Sequence, residues 1–169
     1  MQPTYDRWAG PQRAASDVEV VALIAIAAAV GWMNAARVDR TNTPVKPSEN
    51  IEAHTQMPPN VAAVFHRACH NCHSERTDWP WYSTVAPMHW LLTADVYGAR
   101  EHMNLSKWGR YTPEERTDRL ISICEMVASN RMPLWCHKPL HYPDAWLSEA
   151  DRKAVCDWVK AEVQLSAAR

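Results

Sequence analysis

The residues with the clearest chemistry are Cys69, His70, Asn71, Cys72 and His73, which form a C-x-x-C-H motif. This is the attachment pattern of a c-type haem. Two thiols three positions apart on one helical turn can each form a thioether with a vinyl group of the same porphyrin. The histidine that follows the second thiol can then bind the iron through an imidazole nitrogen. The motif therefore predicts one covalently attached haem c.

Two other chemistries use cysteines at this spacing. A structural zinc site needs about four ligands, usually from two such pairs. The chain has no second C-x-x-C, although Cys136 and His137 are conceivable distant partners. A redox dithiol normally lies between a strand and a helix, and no strand pattern precedes Cys69. The sequence favours haem attachment over both alternatives.

The iron's other face needs a ligand that lies C-terminal to His73. Met132 is the first candidate, because it follows a predicted helix and Pro133 stiffens the turn that presents it. A thioether is a soft ligand that favours Fe(II) and raises the reduction potential. His141 is the runner-up. The weaker candidates are His102, His137 and His89, and an open sixth position is the remaining alternative.

Several helices are expected to position these groups. Asn60 can cap a helix whose apolar residues recur at helical spacing and which delivers the two motif cysteines. A second helix is expected from about Pro87 to Glu101. Thr112 opens a third with a capping box, and this helix should end near Asn130. The last helix begins at Ser148, with Asp151 in the capping-box position and a buried stripe of Ala154, Val155, Trp158 and Val159.

The N-terminal part has its own organisation. Residues 1–17 are polar and are expected to be a cytoplasmic segment without regular structure. Residues 18–36 are strongly apolar and predict a single transmembrane anchor, with Trp32 suited to an interface. The alternatives are a cleaved signal peptide, for which Asn34-Ala35-Ala36 is a poor site, and a buried core helix. Residues 37–60 contain helix-breaking prolines and predict an extended linker, and residues 61–169 form the haem domain.

Composition adds further expectations. The chain has 169 residues with nine Trp and one Phe, and large aromatic side chains suit the walls of a flat ligand's pocket. Trp79, Trp81 and Trp90 are the predicted pocket walls. The net charge of −1 gives no support to nucleic-acid binding.

Three cysteines lie outside the motif, namely Cys124, Cys136 and Cys156. An odd number cannot all pair within one chain. An oxidising outer compartment would permit a bond between Cys124 and Cys156. We nevertheless expect burial as small apolar side chains rather than a disulfide.

Linked blocks extend beyond the motif. They are Asn71–Ser74, Thr77–Ser83, Ala86–Trp90, Met103–Trp108, Met132-Pro133, His141 and Leu147-Ser148. Together they resemble the haem-binding domain family of bacterial c-type cytochromes over roughly residues 60 to 165. The sequence departs from the family pattern at Cys136 and Tyr142, away from the proposed ligands. The resemblance implies an all-α, cytochrome-c-like, monohaem domain of three to four helices, here preceded by the anchor, and it supports Met132 as an axial ligand.

The function expected from these features is electron transfer rather than catalysis. Bacterial c-type haem is attached on the outer face of the inner membrane, so the haem domain should lie on the periplasmic side. The expected partners are the membrane and a respiratory or photosynthetic complex or a dehydrogenase. The alternatives are a haem enzyme or gas sensor with an open sixth iron position, and a zinc-bearing interaction module.

Overall fold

The computed structural model describes residues 10–35, 38–135 and 143–168. Over these ranges the chain forms six α-helices and four 3₁₀ helices and contains no strand. The α-helices are α1 (Gly10–Ala35), α2 (Pro59–Ala68), α3 (His70–His73), α4 (Met88–His102), α5 (Pro113–Ala128) and α6 (Glu149–Ala167). The prediction of an all-α chain with an apolar N-terminal helix is confirmed.

The chain divides into two compact units. The first contains the residues up to Asp39 together with Pro80–Leu91, and the second contains Arg40–Trp79 together with Leu92–Arg169. The second unit therefore holds the C-x-x-C-H motif and most of the helices. The boundary at residues 91 and 92 falls within α4.

Helix α1 dominates the first unit. It begins at Gly10, inside the segment expected to be irregular, because Pro11 suits a first turn and Ala14 and Ala15 favour helix. Its stretch Ser16–Ala35 has 20 residues with a hydropathy of 1.9, and none of it is buried. This length and composition are sufficient to cross the hydrocarbon core of a membrane.

The stretch expected to be an extended linker folds in part. It forms 3₁₀ helices at Pro47–Glu49 and Ile51–Ala53. Ile51 is fully buried in the core of the second unit, and Glu49 accepts a hydrogen bond of 2.7 Å from Arg110. The prolines that predict a tether break α-helix but permit 3₁₀ turns, and Ile51 and Glu49 both attach the segment to the domain.

The core of the second unit lies where α5, α6 and α2 pack together. Phe65 of α2 meets Trp158 of α6 edge to face, with ring centroids 5.3 Å apart. The fully buried members of this core include Ile51, Val61, Phe65, Leu105, Trp108 and Val155. These contacts hold α2 in place and so fix the point at which the motif begins.

The starts of the last two long helices agree with the sequence. Thr112 and Glu115 form the predicted capping box of α5, and Ser148 and Asp151 form that of α6. The predicted cap of α2 is wrong. The N-cap is Pro58 and makes no side-chain hydrogen bond, and Pro59 occupies the first turn, where a proline's missing N–H costs nothing.

The expectation of unpaired thiols at Cys124 and Cys156 is also wrong. The two residues form a disulfide between α5 and α6, with Cα atoms 4.8 Å apart. The reason is the extensive packing of the two helices, which brings residues 32 apart in sequence within the range a disulfide requires. Cys136 lies outside the described residues.

Candidate functional site

The C-x-x-C-H motif forms a single helical turn directly after α2. The N–H groups of Cys72 and His73 donate to the carbonyl of Cys69, over 3.3 and 2.9 Å. This turn places the two thiols at positions i and i+3, which are neighbours on a helix surface. Cys69 packs against the hydrophobic core, so the core fixes the start of the turn.

Both motif thiols are free and half-buried. Burial raises the pKa of Cys69 to about 12 and also raises the pKa of Cys72. Both are therefore protonated near neutral pH, whereas a reactive redox dithiol depends on a thiolate of lowered pKa. The surroundings of the pair do not suit the redox alternative.

His73 is held in one tautomer by two backbone carbonyls. Its Nδ1 lies 3.1 Å from the carbonyl oxygen of Ala99 and 3.1 Å from that of Met103. A carbonyl only accepts hydrogen bonds, so Nδ1 carries the proton and Nε2 keeps its lone pair. Burial lowers the pKa of His73 and keeps the ring neutral. A neutral imidazole whose Nδ1–H is fixed by a hydrogen bond and whose Nε2 keeps its lone pair is the form that binds a metal.

A buried polar network fixes the chain directly after the motif. Arg100 of α4 donates to the carbonyl of Ser74 over 2.8 Å and to the hydroxyl of Thr77 over 2.8 Å. It also lies 3.1 Å from the Glu75 carboxylate. Since Arg100 follows Ala99, the same turn of α4 that orients the His73 ring also holds the residues that follow it.

Glu75 is the centre of this network. Burial alone would raise the pKa of its carboxyl, but hydrogen bonds from Lys107, the Thr43 N–H and Asn104, together with the charge of Arg100, lower it to about 2. The carboxylate therefore stays ionised at any physiological pH. The sequence did not predict this network, because its members are far apart in the chain and follow no periodic pattern.

Met132 follows α5 in a well-defined turn. Asn130 has a positive φ of 57°, and the N–H groups of Arg131 and Met132 donate to the carbonyl of Met126 over 3.0 and 3.1 Å. The Asn130 N–H donates to Val127, which completes a Schellman C-cap. Met132 is half-buried. These contacts tie it to the end of α5, and its role as an iron ligand stays a prediction.

The other predicted ligands are dispersed. His102 is exposed on α4, whereas His89 is buried in the first unit. His141, His137 and Cys136 lie outside the described residues. Within the described ranges, no group of three or more His, Cys, Asp or Glu side chains is placed to hold a metal ion.

The three predicted wall tryptophans differ in their surroundings. Trp79 is half-buried in the second unit, and its indole N–H is buried without an acceptor among the described residues. A buried donor without a partner fits a site for a group that carries acceptors, as haem does in its carboxylates. Trp81 and Trp90 belong to the first unit, where both are exposed. Their role as pocket walls stays a prediction.

Comparison with known proteins agrees with this chemistry. A sequence model of the family described as a haem-binding domain matches residues 28–161. No curated protein and no solved structure shows significant similarity to the chain. The matched range begins within α1 and includes the motif, the Glu75 network and the turn at Met132.

Proposed function

The chain belongs to the haem-binding domain family, and from this premise we propose that it is a monohaem c-type cytochrome that transfers electrons. The observation that carries the proposal is the His73 ring, whose Nδ1 donates to Ala99 and Met103 and whose Nε2 is left to bind iron. In a haem-binding family, an imidazole prepared in this way beside two free thiols fits an axial ligand of a covalently held haem.

Cys69 and Cys72 are the residues that would hold the haem covalently. They share one helical turn with His73 and take no part in a disulfide. Two thioethers and an iron ligand from one turn would hold a haem at three points. This arrangement supports type c rather than a dissociable haem.

When bound, the haem supplies one-electron chemistry, and the chain's residues set the conditions for it. His73 would bind one face of the iron, oriented by Ala99 and Met103. Met132, presented by the C-cap of α5, is the proposed ligand of the other face. With both faces bound, no position remains for a substrate, so the proposed role is that of an electron carrier rather than an enzyme.

The proposed location is the outer face of a bacterial inner membrane. Ser16–Ala35 is long and apolar enough to act as a single anchor. The disulfide between Cys124 and Cys156 supports an oxidising compartment for the second unit, which agrees with the periplasmic side. A carrier anchored in this way would exchange electrons with membrane partners such as a respiratory or photosynthetic complex or a dehydrogenase.

Two measurements on the purified full-length protein test the proposal. Acidified acetone should fail to extract the haem, and extraction would contradict covalent attachment. The ferrous protein should not bind carbon monoxide quickly, because Met132 fills the sixth position. Rapid binding by the wild type would instead favour an enzyme or a gas sensor.

Substitution of Met132 sharpens the second measurement. Met132→Ala should keep the haem, lose the weak near-infrared sulfur-to-iron band of the oxidised protein and bind carbon monoxide readily. Met103→Leu is the matched control, because Met103 packs against the core and contributes only its carbonyl to His73. If the band survives in Met132→Ala and disappears in Met103→Leu, the axial assignment is wrong.

A further inference from the structure

The segment Pro80–Leu91 is unusual because its apolar side chains face outward. No Asp, Glu, Lys or Arg occurs from Trp79 to Ala94. Trp81 is 79% exposed, and three more large apolar side chains of the segment are also exposed. These four residues are named the aromatic patch: Trp81, Val85, Trp90 and Leu91. Exposed large apolar groups concentrated in one short segment commonly mark a surface that a membrane or another molecule covers.

The inner side of the same segment is polar. Ser83 is fully buried and His89 is nearly so. A loop whose small polar and imidazole groups turn inward while its indoles and aliphatic groups turn outward is inverted relative to a loop that faces water. The inversion indicates that the outer side meets an apolar environment.

The segment is fastened to the end of α1. The Ala86 N–H donates to the side-chain oxygen of Asn34 over 2.9 Å. The Asn34 amide nitrogen in turn donates to the carbonyl of Val30 over 2.8 Å. Asn34 is the penultimate residue of α1, and it lies at the end of the apolar stretch Ser16–Ala35. Trp32, two residues before Asn34, is 82% exposed.

From these contacts we propose that the aromatic patch docks into the lipid interface of the bilayer that α1 crosses, which replaces the predicted role of Trp81 and Trp90 as pocket walls. The inference rests on the anchor in the proposed function and goes beyond it, because it assigns a second point of membrane contact. The end of a spanning helix lies at the headgroup level, where tryptophan is the preferred residue. Asn34 holds Ala86 at that level, and the proposal places Trp81, five residues before Ala86, in the same layer of lipid as Trp32.

Lipid is the occupant that fits the chemistry of the patch. A docking surface for a charged redox partner would carry complementary charges, and the whole stretch from Trp79 to Ala94 has none. Binding to lipid through indole and aliphatic groups should also be insensitive to salt and to the fraction of anionic lipid, since charge plays no part in it.

The test compares two tryptophans within one molecule. Trp81 and Trp135 are 79% and 80% exposed, so they should react equally with hydroxyl radicals if water surrounds both. The full-length haem protein is placed at one chain per lipid nanodisc, which excludes a second copy as the cover. We expect oxidation of Trp81 to be at least about fivefold slower than that of Trp135, because an interfacial indole loses most of its water contact.

Three outcomes are decisive. Equal oxidation of Trp81 and Trp135, in protein that a carbonate wash leaves in the membrane, overturns the docking surface and leaves the anchor intact. Release of the protein by carbonate overturns the anchor itself. Protection of Trp81 that disappears at high salt, or that requires anionic lipid, also overturns the proposal, because it would mean a charged contact.

The variant Asn34→Ala tests the fastening. It removes the acceptor for Ala86 without adding charge, and it should raise the oxidation rate of Trp81 toward that of Trp135 while carbonate retention is unchanged. Asn60→Ala, at the exposed start of α2 in the second unit, is the control for loss of an amide and should leave the Trp81 rate unchanged. Unaltered protection of Trp81 in Asn34→Ala would overturn the role given to Asn34.

Discussion

The second unit contains two pairs of cysteines that differ in bonding state. Cys69 and Cys72 lie three residues apart on one helical turn and keep free thiols. Cys124 and Cys156 lie 32 residues apart, on α5 and α6, and form a disulfide. The difference shows that proximity alone does not decide pairing. Neighbours on one turn lie side by side, whereas residues on two packed helices can lie opposite each other.

The two pairs also differ in what holds their surroundings. The disulfide covalently joins the two helices with the most extensive contact in the molecule's described part. The turn of Cys69 and Cys72 has no such bond, and the Glu75–Arg100 network fixes the chain after it. One region therefore uses a covalent link and the other uses buried charges, which leaves the thiols available for a cofactor.

The largest expected effect comes from exchanging both members of each pair. Cys69→Ala with Cys72→Ala should abolish covalent haem, because both thioether positions are lost, whereas Cys124→Ala with Cys156→Ala should retain it. Haem staining of a denaturing gel at the protein's mass measures both. A stained band from the Cys69 and Cys72 variant, or no stained band from the folded Cys124 and Cys156 variant, would contradict the assignment of haem attachment to the first pair alone.

Glu75→Gln should have the next largest effect. It leaves Arg100 buried without its carboxylate, and breaking a buried ion pair typically costs about 3–5 kcal/mol. Denaturant unfolding of the haem protein measures the change in the free energy of unfolding. Glu125→Gln, on the exposed face of α5, is the control and should change little. Equal stability of the two variants would mean that the buried charges do not support the motif region.

The same carboxylate predicts a pH dependence. The pKa of Glu75 is lowered from 4.5 to about 2 in the folded chain. Its contribution to stability is therefore complete above about pH 4.5 and is lost as the pH falls toward 2. Unfolding curves across this range should show wild-type stability decreasing with acid, with a shallower decrease in Glu75→Gln. If the stability of the two proteins fell equally with decreasing pH, Glu75 would not be the group responsible for the acid dependence.

Loss of the disulfide should be comparable or slightly smaller. For a loop of this length the chain-entropy relation gives about 3–4 kcal/mol. Cys124→Ala with Cys156→Ala should lower the free energy of unfolding by that amount and leave the haem spectrum unchanged. Wild type treated with reductant is the second comparison. A change in the haem spectrum without a loss of stability would mean that the disulfide supports the haem site and not the stability of the fold.

The smallest effect is expected at the C-cap of α5. This helix carries Cys124 and presents Met132. Asn130→Ala removes a short polar side chain that tolerates positive φ and should cost about 1 kcal/mol, whereas Asn130→Gly should be tolerated. Thermal unfolding measures stability, and the near-infrared band reports on Met132. If the alanine and glycine variants behave alike, the turn does not depend on this conformation.

The parts of the structure that sequence reasoning predicted are those set by neighbouring residues. The capping boxes at Thr112 and Ser148 lie within four residues each, and the motif turn is equally local. The pairing of Cys124 with Cys156, the burial of Ile51 and the contact of Glu75 with Arg100 depend on residues distant in the chain. Their side-chain types are compatible with many partners, so only the packed structure identifies them.

The candidate site divides in the same way. Cys69, Cys72 and His73 follow from the motif, because spacing on one turn determines their chemistry. The acceptors for His73 are the backbone carbonyls of Ala99 and Met103. Every residue carries such a carbonyl, so the sequence contains no signal for them, and they become visible only when α4 is placed beside the motif.

The burial of the motif thiols has a consequence for the order of events during biogenesis. Cys69 and Cys72 are half-buried in the folded chain, and Cys69 packs against its core, so a bulky porphyrin reaches both thiols less readily than in an unfolded chain. For the covalent haem proposed above, we therefore expect the thioethers to form before the chain has packed. Folded apoprotein mixed with haem should mature far more slowly than unfolded chain, and equal rates would contradict this order.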